Sequence, residues 1–572
     1  MNGLAITPLL IHLATCMVGL VLWKRPGLQR AASLVGMALG FAAACLVFSA
    51  TRGGEILVLY VGGWAAPYGI TMVADHVSGI MVLVNAVVGL SAIVYSLGNL
   101  DRARASFGFH PMTHALLASV AGVFLAGDLF NVYVWFEIML LSSFVLLALG
   151  GERPQVEAAV KYVALNLLSS TLFLAAIGLL YGMTGTLNIA DLAFRLQHVG
   201  DPKTLTALAL LFLVAFGIKA GTFPFFYWLP ASYHTPPAVV GALFAGVMTK
   251  VGVYAVVRFF PLFFMQEPGV LYRVLLWISG ITMVVGVLGA ASQMRMRRIL
   301  AFHSVSQVGY MLMGVAVFGV AQARLDARGL SAEAAAALKN AQLVLMAGTF
   351  VFIFHHAIVK MNLFLVSGIV MKHKGTDDLH RVGGLYAERP WLGLLFMVPA
   401  MSLAGIPVLS GFWGKLALVR GGVQAGAFPI VLVSLFVSVL TLFSMVKIWN
   451  YAFWRPQAEA DAEGHEAEPD EAPAPAADMT PWKRSAMVGA SVFLAAGAVL
   501  MGLFPGAAYR SAETAARQLL DRDAYIAAVL PAEHTDGWLE LLRARREGAT
   551  APAEAAAAAG PTALAAAAKE PS

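Results

Sequence analysis

Two lysines stand inside apolar stretches of the chain. Lys219 lies in LVAFGIKAGTFPFFYWLP, five residues before Pro224, and Lys415 lies in SLAGIPVLSGFWGKLALV, eight residues after Pro407. An ammonium group in hydrocarbon costs several kcal/mol, so such a residue is kept where it faces a protein interior or a watery path. A helix-breaking proline beside each lysine, in two separated parts of the chain, points to ion translocation at discontinuous helices. The chemistry open to these groups is proton carriage.

Other ionisable groups extend the row. Glu137, in VYVWFEIMLLSSF, is deep in its apolar stretch and needs a partner or a proton. We expect it to pair with Lys219, because opening and closing such a pair hands on a proton; a neutral glutamic acid bonded to backbone is the alternative. Lys250, in LFAGVMTKVGVYAVVRF, with Tyr254 a turn further, reads as a relay or as a cap on carbonyls of the neighbouring broken helix. His356 and Lys360, in FIFHHAIVKMNLFL, are four apart and share a helix face suited to stepwise proton transfer, with His355 pointing elsewhere. His303 and Gln307, in AFHSVSQVGY, have the same spacing beside Ser304 and Ser306; they read as proton path or as helix packing. His234, in YWLPASYHTPPAVV, falls in a loop and is a candidate for proton access or a solvated side chain. Lys447 near a span end is expected to snorkel to the interface.

The elements that must position these groups are membrane helices. Of 572 residues, 59% are hydrophobic and 12% charged, with a mean hydropathy of +0.77. A soluble domain carries about 25% charged residues. Apolar runs of about 20 residues occur at roughly 3–23, 30–50, 73–97, 111–127, 129–149, 157–182, 203–227, 237–260, 268–292, 299–320, 341–371, 393–419, 427–451 and 485–505. We therefore expect an all-α polytopic membrane protein with about fourteen transmembrane helices. The first run, followed by Lys24-Arg25-Pro26, reads as a retained helix. Two cysteines without a paired motif imply no cofactor and no metal site. The net charge of +6 reflects loop bias and does not imply nucleic acid. With the N-terminus outside, sixteen Lys and Arg fall in inward loops and nine, Arg258 among them, in outward ones, or twelve with Arg510, Arg517 and Arg522. That bias places both termini outside.

Along the chain, residues 1–110 hold spans one to three, with an outer hairpin expected around 55–69. Residues 111–260 and 268–451 form two five-helix blocks, and in each the fourth helix (seven and twelve overall) is broken. The lysine precedes its proline in one block and follows it in the other, as an inverted repeat requires. Residues 456–482 read as a disordered inner linker, 483–507 as helix fourteen, and 508–572 as a helix on the membrane surface or a partner, ending in a low-complexity tail.

The strings GDLFNVYVWFEIMLLSSF, KAGTFPFFYWLPASYHTPPAVVGALFAGVMTKVGVYA, RRILAFHSVSQVGY, HHAIVKMNLFLVSGIV and IPVLSGFWGKLALV together resemble the antiporter-like subunits shared by complex I and the Mrp-type multisubunit Na+/H+ antiporters. TKVGVYAVVRF, SMVKIWNYAFW and QLLDRDAYIAAVL are most similar to the Mrp D-type subunits. The resemblance implies a 14-helix core of inverted repeats around a mid-membrane hydrophilic axis. It gives proton-translocating roles to Glu137, Lys219, Lys250, His356, Lys360 and Lys415. It also implies H+ and Na+ or K+ as substrates, other subunits of a hetero-oligomeric complex as partners, and the bacterial plasma membrane as location. A pump subunit of complex I or a membrane hydrogenase is the alternative, as is a scaffold that moves no ions. The acidic linker and Ala-rich tail depart from the family pattern.

Overall fold

The computed structural model describes residues 2–199, 201–327, 329–462 and 480–537. Its helices are α1 Thr7–Val21, α2 Pro26–Thr51, α3 His76–Asn99, α4 Arg102–Ser106, α5 Phe109–Leu125, α6 Leu129–Leu147, α7 Arg153–Thr184 and α8 Ile189–Arg195. There follow α9 Pro202–Ala220, α10 Trp228–Tyr233, α11 Ala238–Phe263, α12 Pro268–Ser292, α13 Met296–Leu325, α14 Ala332–Lys374, α15 Leu385–Glu388 and α16 Pro390–Ala404. The last are α17 Ser410–Gln424, α18 Phe428–Ile448, α19 Gln457–Ala462, α20 Pro481–Leu503, α21 Pro505–Leu520 and α22 Arg522–Val529. The expected polytopic helical architecture is borne out. Among the described residues, twelve helices are long and apolar enough to cross a membrane. The other two expected runs hold shorter helices, α5 of 17 residues and α16 of 15 residues; after a break, the second continues as α17.

Local chemistry sets the ends of these helices. In hydrocarbon every backbone group must be paired within the chain, so helices form and their termini need caps. Asp75, Asp128 and Asn188 accept from the N–H groups of Ser78, Asn131 and Ala190. Gly185, Gly221, Gly375 and Gly405 close C-termini in the left-handed region. The expected hairpin is present: β1 Leu57–Tyr60 pairs antiparallel with β2 Thr71–Ala74, in the register Leu57 to Ala74.

Three helices form the centre. Every residue of α11 is buried, and α13 and α14 are nearly as enclosed, so they are surrounded by protein and apolar on all sides. The peripheral spans α1, α2, α7, α12, α18 and α20 bury the smaller part of their surface and leave the rest for lipid. Lys250, His303, Gln307, His355, His356 and Lys360 all sit on the three central helices.

Contacts define two faces. The hairpin, residues 126–128 and α8 meet on one: Met72 bridges Ala126, and Asp128 bridges Asn188. The opposite face joins 98–108, 236, 293–298, 374–389 and 455–457, through Arg297 to Pro236, Arg295 to Asp378 and Lys374 to Gln457. There Asp377 sits beside Arg297 Nε at 3.1 Å. Burial works against its charge, but the Arg297 guanidinium prevails and holds the carboxyl below the usual range.

Two sequence expectations are corrected here. Arg258, counted with outward loops, is enclosed in α11, where it pairs with Asp75 and donates to Ser78 Oγ at 3.1 Å. The segment after α20, expected on the membrane surface or on a partner, packs on the chain itself. Tyr60 Oη donates to Val529 O at 2.9 Å, Gln518 Oε1 accepts from His76 N at 2.8 Å, and His534 Nε2 meets Asp191 Oδ1 at 3.1 Å. Of the expected linker, Gln457–Ala462 is helical and α20 begins at Pro481; 463–479 lie outside the described residues, as does the tail from 538.

Asp191 anchors this strap. Burial alone would raise its affinity for a proton, but His534 and Arg195, with Arg195 Nε at 2.9 Å, outweigh burial and hold it below the usual range. A depressed carboxyl contributes stability that is present above its unfolded value, about 3.9, and lost only as pH falls through the folded value. The strap therefore stays docked across the neutral range. Asp191→Asn leaves the Arg195 guanidinium buried without its counter-charge, a loss of about 3–5 kcal/mol. Limited proteolysis of the purified protein at pH 7 is expected to cut near residue 530 in this variant and not in the parent.

Candidate functional site

Both broken helices are interrupted in the same way. α9 ends at Ala220, where Gly221 (φ 76°) donates to the carbonyls of Gly217 and Ile218 at 3.0 and 3.2 Å, and Thr222 N reaches Gly217 O at 3.0 Å. α16 ends at Ala404, where Gly405 (φ 93°) donates to Met401 and Ser402 carbonyls at 3.1 Å, and Ile406 N reaches Met401 O at 3.1 Å. Each break thus begins at an Ala-Gly pair, with Pro224 and Pro407 inside the gap that follows. Only glycine takes this conformation without strain. The Ile218 carbonyl also accepts from Trp228 Nε1 at 2.8 Å, which ties α10 back onto α9.

Lys219 is in the last turn of α9, 2% exposed, and its ammonium has no protein hydrogen-bond partner. It stands 5.5 Å from the centre of the Phe136 ring, next to Glu137, the acidic group whose charge reaches it. Glu137 Oε1 is likewise buried without a partner. The expected pair is therefore a neighbouring couple that is not hydrogen-bonded. Behind it, α11 lies against the backbone of α9: a Cβ on Gly252 would come within 2.4 Å of Ala220 N.

Lys250, two residues before Gly252, donates to Ala245 O in its own helix, so it caps no carbonyl of the broken helix. Lys360 Nζ donates to Leu300 O of α13 at 2.6 Å. Above that contact, His303 and Gln307 follow on α13, and both polar atoms of each side chain are buried without a protein partner; the same holds for His356. His356 lies one helical turn before Lys360 on α14. Polar atoms buried at this depth are costly unless hydrated.

Lys415 closes the row on α17. It reaches across the second break to donate to Ala404 O, the last helical carbonyl, at 3.1 Å and to Ser438 Oγ at 3.0 Å, with the Tyr310 ring 4.7 Å away. An ammonium at a helix C-terminus meets the negative end of its dipole. His355, expected to point away from the His356 and Lys360 face, faces this break: its Nδ1 is 2.8 Å from Ser410 Oγ, which is 2.9 Å from Ser402 Oγ. Serines flanking AGIPVL were the signal for it. Lys447 donates to Ala291 and Gln293 carbonyls at 2.7 and 2.6 Å, capping α12 from a half-buried position.

His234 follows α10 at the rim of an open cavity of about 260 Å³, shared with Glu157, Lys161, Tyr227 and Arg298. Burial, reinforced by Arg297 and Arg298 against the opposing Pro230 carbonyl 2.7 Å away, brings its imidazole down to about 4. It is neutral at pH 7, able to pass a proton but not to store one.

A family profile described as "NADH:quinone oxidoreductase/Mrp antiporter, TM" matches residues 126–326 and 334–441. The chain belongs to this family. The matched residues include Glu137, Lys219, Lys250, His303, Gln307, His355, His356, Lys360 and Lys415. The chain is 38% identical to the D-type subunit of the Na(+)/H(+) antiporter of Alkalihalophilus pseudofirmus, over 93% of its own length and all of that protein. Its fold is similar to a chain of the Mrp complex from Dietzia sp. DQ12-45-1b, with a TM-score of 0.79, 30% identity and coverage of 93% and 100%. A chain of respiratory complex I from Thermus thermophilus shares the fold at 21% identity, TM-score 0.71 and coverage of 90% and 99%.

Proposed function

We propose that this chain is the proton-translocating subunit of a multisubunit monovalent cation (Na+ or K+)/proton antiporter of the bacterial plasma membrane, working with the other subunits of that complex. Both termini lie outside, and the two five-helix blocks are inverted repeats. The observation that carries the reading is the row of enclosed ionisable groups between two glycine-started helix breaks, of which Lys219, His303 and His356 have no hydrogen-bond partner. Likeness to a D-type antiporter subunit over nearly the whole chain supports the transport class.

Each group has a distinct part. Protons reach the first break past the cavity at His234; Glu137, close to Lys219 but not bonded to it, biases whether the lysine holds or releases its proton. Lys250, His356 and Lys360, with His303 and Gln307 beside them, connect the first break to Lys415. At the second break Lys415 exchanges with Ser438 and Tyr310, and His355 does so through Ser410 and Ser402. Lysine does not coordinate alkali cations, so the cation is carried elsewhere in the complex. A scaffold that moves no ions has no use for this expensive line of groups.

The test uses everted vesicles holding the complete complex, with a pH-sensitive dye. Adding Na+ or K+ to vesicles with a preformed proton gradient is expected to collapse it. The shared complex I fold supports a second reading, a redox-driven pump subunit; that reading gains if neither cation acts and proton uptake instead follows quinone reduction.

A further inference from the structure

The proton row leaves unused a second cluster at the other edge of the molecule, on α1, α2 and α5. His110 Nδ1 is 3.1 Å from Ser33 Oγ, Ser33 Oγ is 3.0 Å from His114 Nε2, and His114 Nδ1 is 3.1 Å from His12 Nδ1. All four side chains are buried. They form an unbroken hydrogen-bonded chain across three membrane helices.

The chain has a direction. His110 is in the first turn of α5, on the face opposite the hairpin; His114 is one turn deeper; His12 lies near the middle of the span Gly3–Val21. Beyond it, α3 carries Asn85, whose Nδ2 donates to Leu117 O at 2.9 Å, one turn past His114, and whose Oδ1 has no protein partner. The antiparallel contact of Gly246 with Val88 sets Asn85 level with Thr249 and Lys250 on α11. Thr249 Oγ1 is also buried without a partner. Among charged groups, Arg30 of α2 acts on His110.

We propose that His110, Ser33, His114 and His12 form a second proton-access route, leading past Asn85 and Thr249 to Lys250 and separate from the one beside His234. It rests on the reading of Lys250 as part of the proton row. The transfer balances at each step: a proton arriving at His110 Nε2 releases Nδ1–H to Ser33 Oγ, the serine proton passes to His114 Nε2, and His114 Nδ1–H passes to His12 Nδ1. Each interior group gains one proton and loses one, and His12 ends with the excess. Hydrated polar atoms at Asn85 and Thr249 continue the route to Lys250.

The experiment measures initial rates of cation-driven proton exchange in vesicles holding the full complex, normalised to assembled complex, for Ser33→Ala, Ser33→Thr, the double variant His12→Gln/His114→Gln, and Lys219→Ala. Glutamine keeps bulk and hydrogen bonds without proton affinity, so assembly is expected at the parent level. Ser33→Ala and the double variant are expected to slow exchange about tenfold, while Ser33→Thr stays near the parent. Parent rates in Ser33→Ala and in the double variant overturn this route. If Lys219→Ala is blocked in the same series, the proton row stands and only the second route falls; if Lys219→Ala also exchanges normally, both fall.

Discussion

Replacing Lys219 by alanine stops cation-driven proton exchange while leaving the complex assembled. The two halves of that expectation come from the same observation. The ammonium is buried with no hydrogen-bond partner, so no hydrogen bond holding α9 in place is lost with it, and removing it relieves a cost of several kcal/mol. What is lost is the group that takes up and gives off the proton at the first break, a loss of about a hundredfold in rate. Lys219→Ala is therefore expected to melt no lower than the parent while exchanging at a background rate. Lys219→Arg discriminates charge from proton transfer: it keeps the cation but cannot release it, and exchange is expected to fail there too. Glu137→Gln, which keeps shape and removes the charge acting on Lys219, is expected to slow exchange strongly without loss of assembly. Parent-like exchange by Lys219→Ala in the intact complex sinks the mechanism.

The second large effect is at a residue that bears no charge. Gly252→Ala places a Cβ 2.4 Å from Ala220 N and 2.7 Å from Lys219 C, and backbone atoms cannot swing aside as a flexible side chain can. α11 must move off α9 at the level of Lys219, taking Lys250 with it. Overpacking of this kind costs about 1–3 kcal/mol, and a shift of about 1 Å between groups that exchange protons costs about a hundredfold in rate. Gly178→Ala is the control: that glycine is on α7 with open space around it, so the substitution is expected to be neutral or to stabilise by up to about 1 kcal/mol. Thermal melting and vesicle exchange on the pair separate a packing effect from a helix-propensity effect. Equal exchange in both variants contradicts the requirement for close approach at Lys219.

Much of the fold was legible because hydrocarbon imposes one rule, internal pairing of the backbone, and apolar runs report where it applies. The ionisable residues were legible for the complementary reason: a charge in such a run is conspicuous. What the runs do not report is which way a side chain turns or what it meets far along the chain. Helix-face reasoning set His355 apart from His356 and Lys360, but it could not name Ser410, 55 residues on, as its partner. Proline drew attention to the breaks, although Gly221 and Gly405 start them; the repeated Ala-Gly pair was present in the sequence and was overshadowed. Lys250 bonds within its own helix, a choice set by side-chain length and available carbonyls rather than by hydropathy. The strap was read as lying on the membrane surface or on a partner because its amphipathic spacing says only that one face is covered, not by what.

α14 runs for 43 residues without a break. At 1.5 Å per residue it is about 65 Å long, roughly twice the thickness of a bilayer's hydrocarbon core. His355, His356 and Lys360 lie a little past its midpoint, while its ends reach beyond the lipid on both faces. A continuous helix is stiff along its axis, so it acts as a push-rod: a displacement applied by any neighbour at either end arrives at the central histidines as translation, undiminished by a hinge. The second broken helix, α16 and α17, packs directly against it. Mechanical work done at one surface of the membrane can therefore be delivered to the centre of the proton row by a single element.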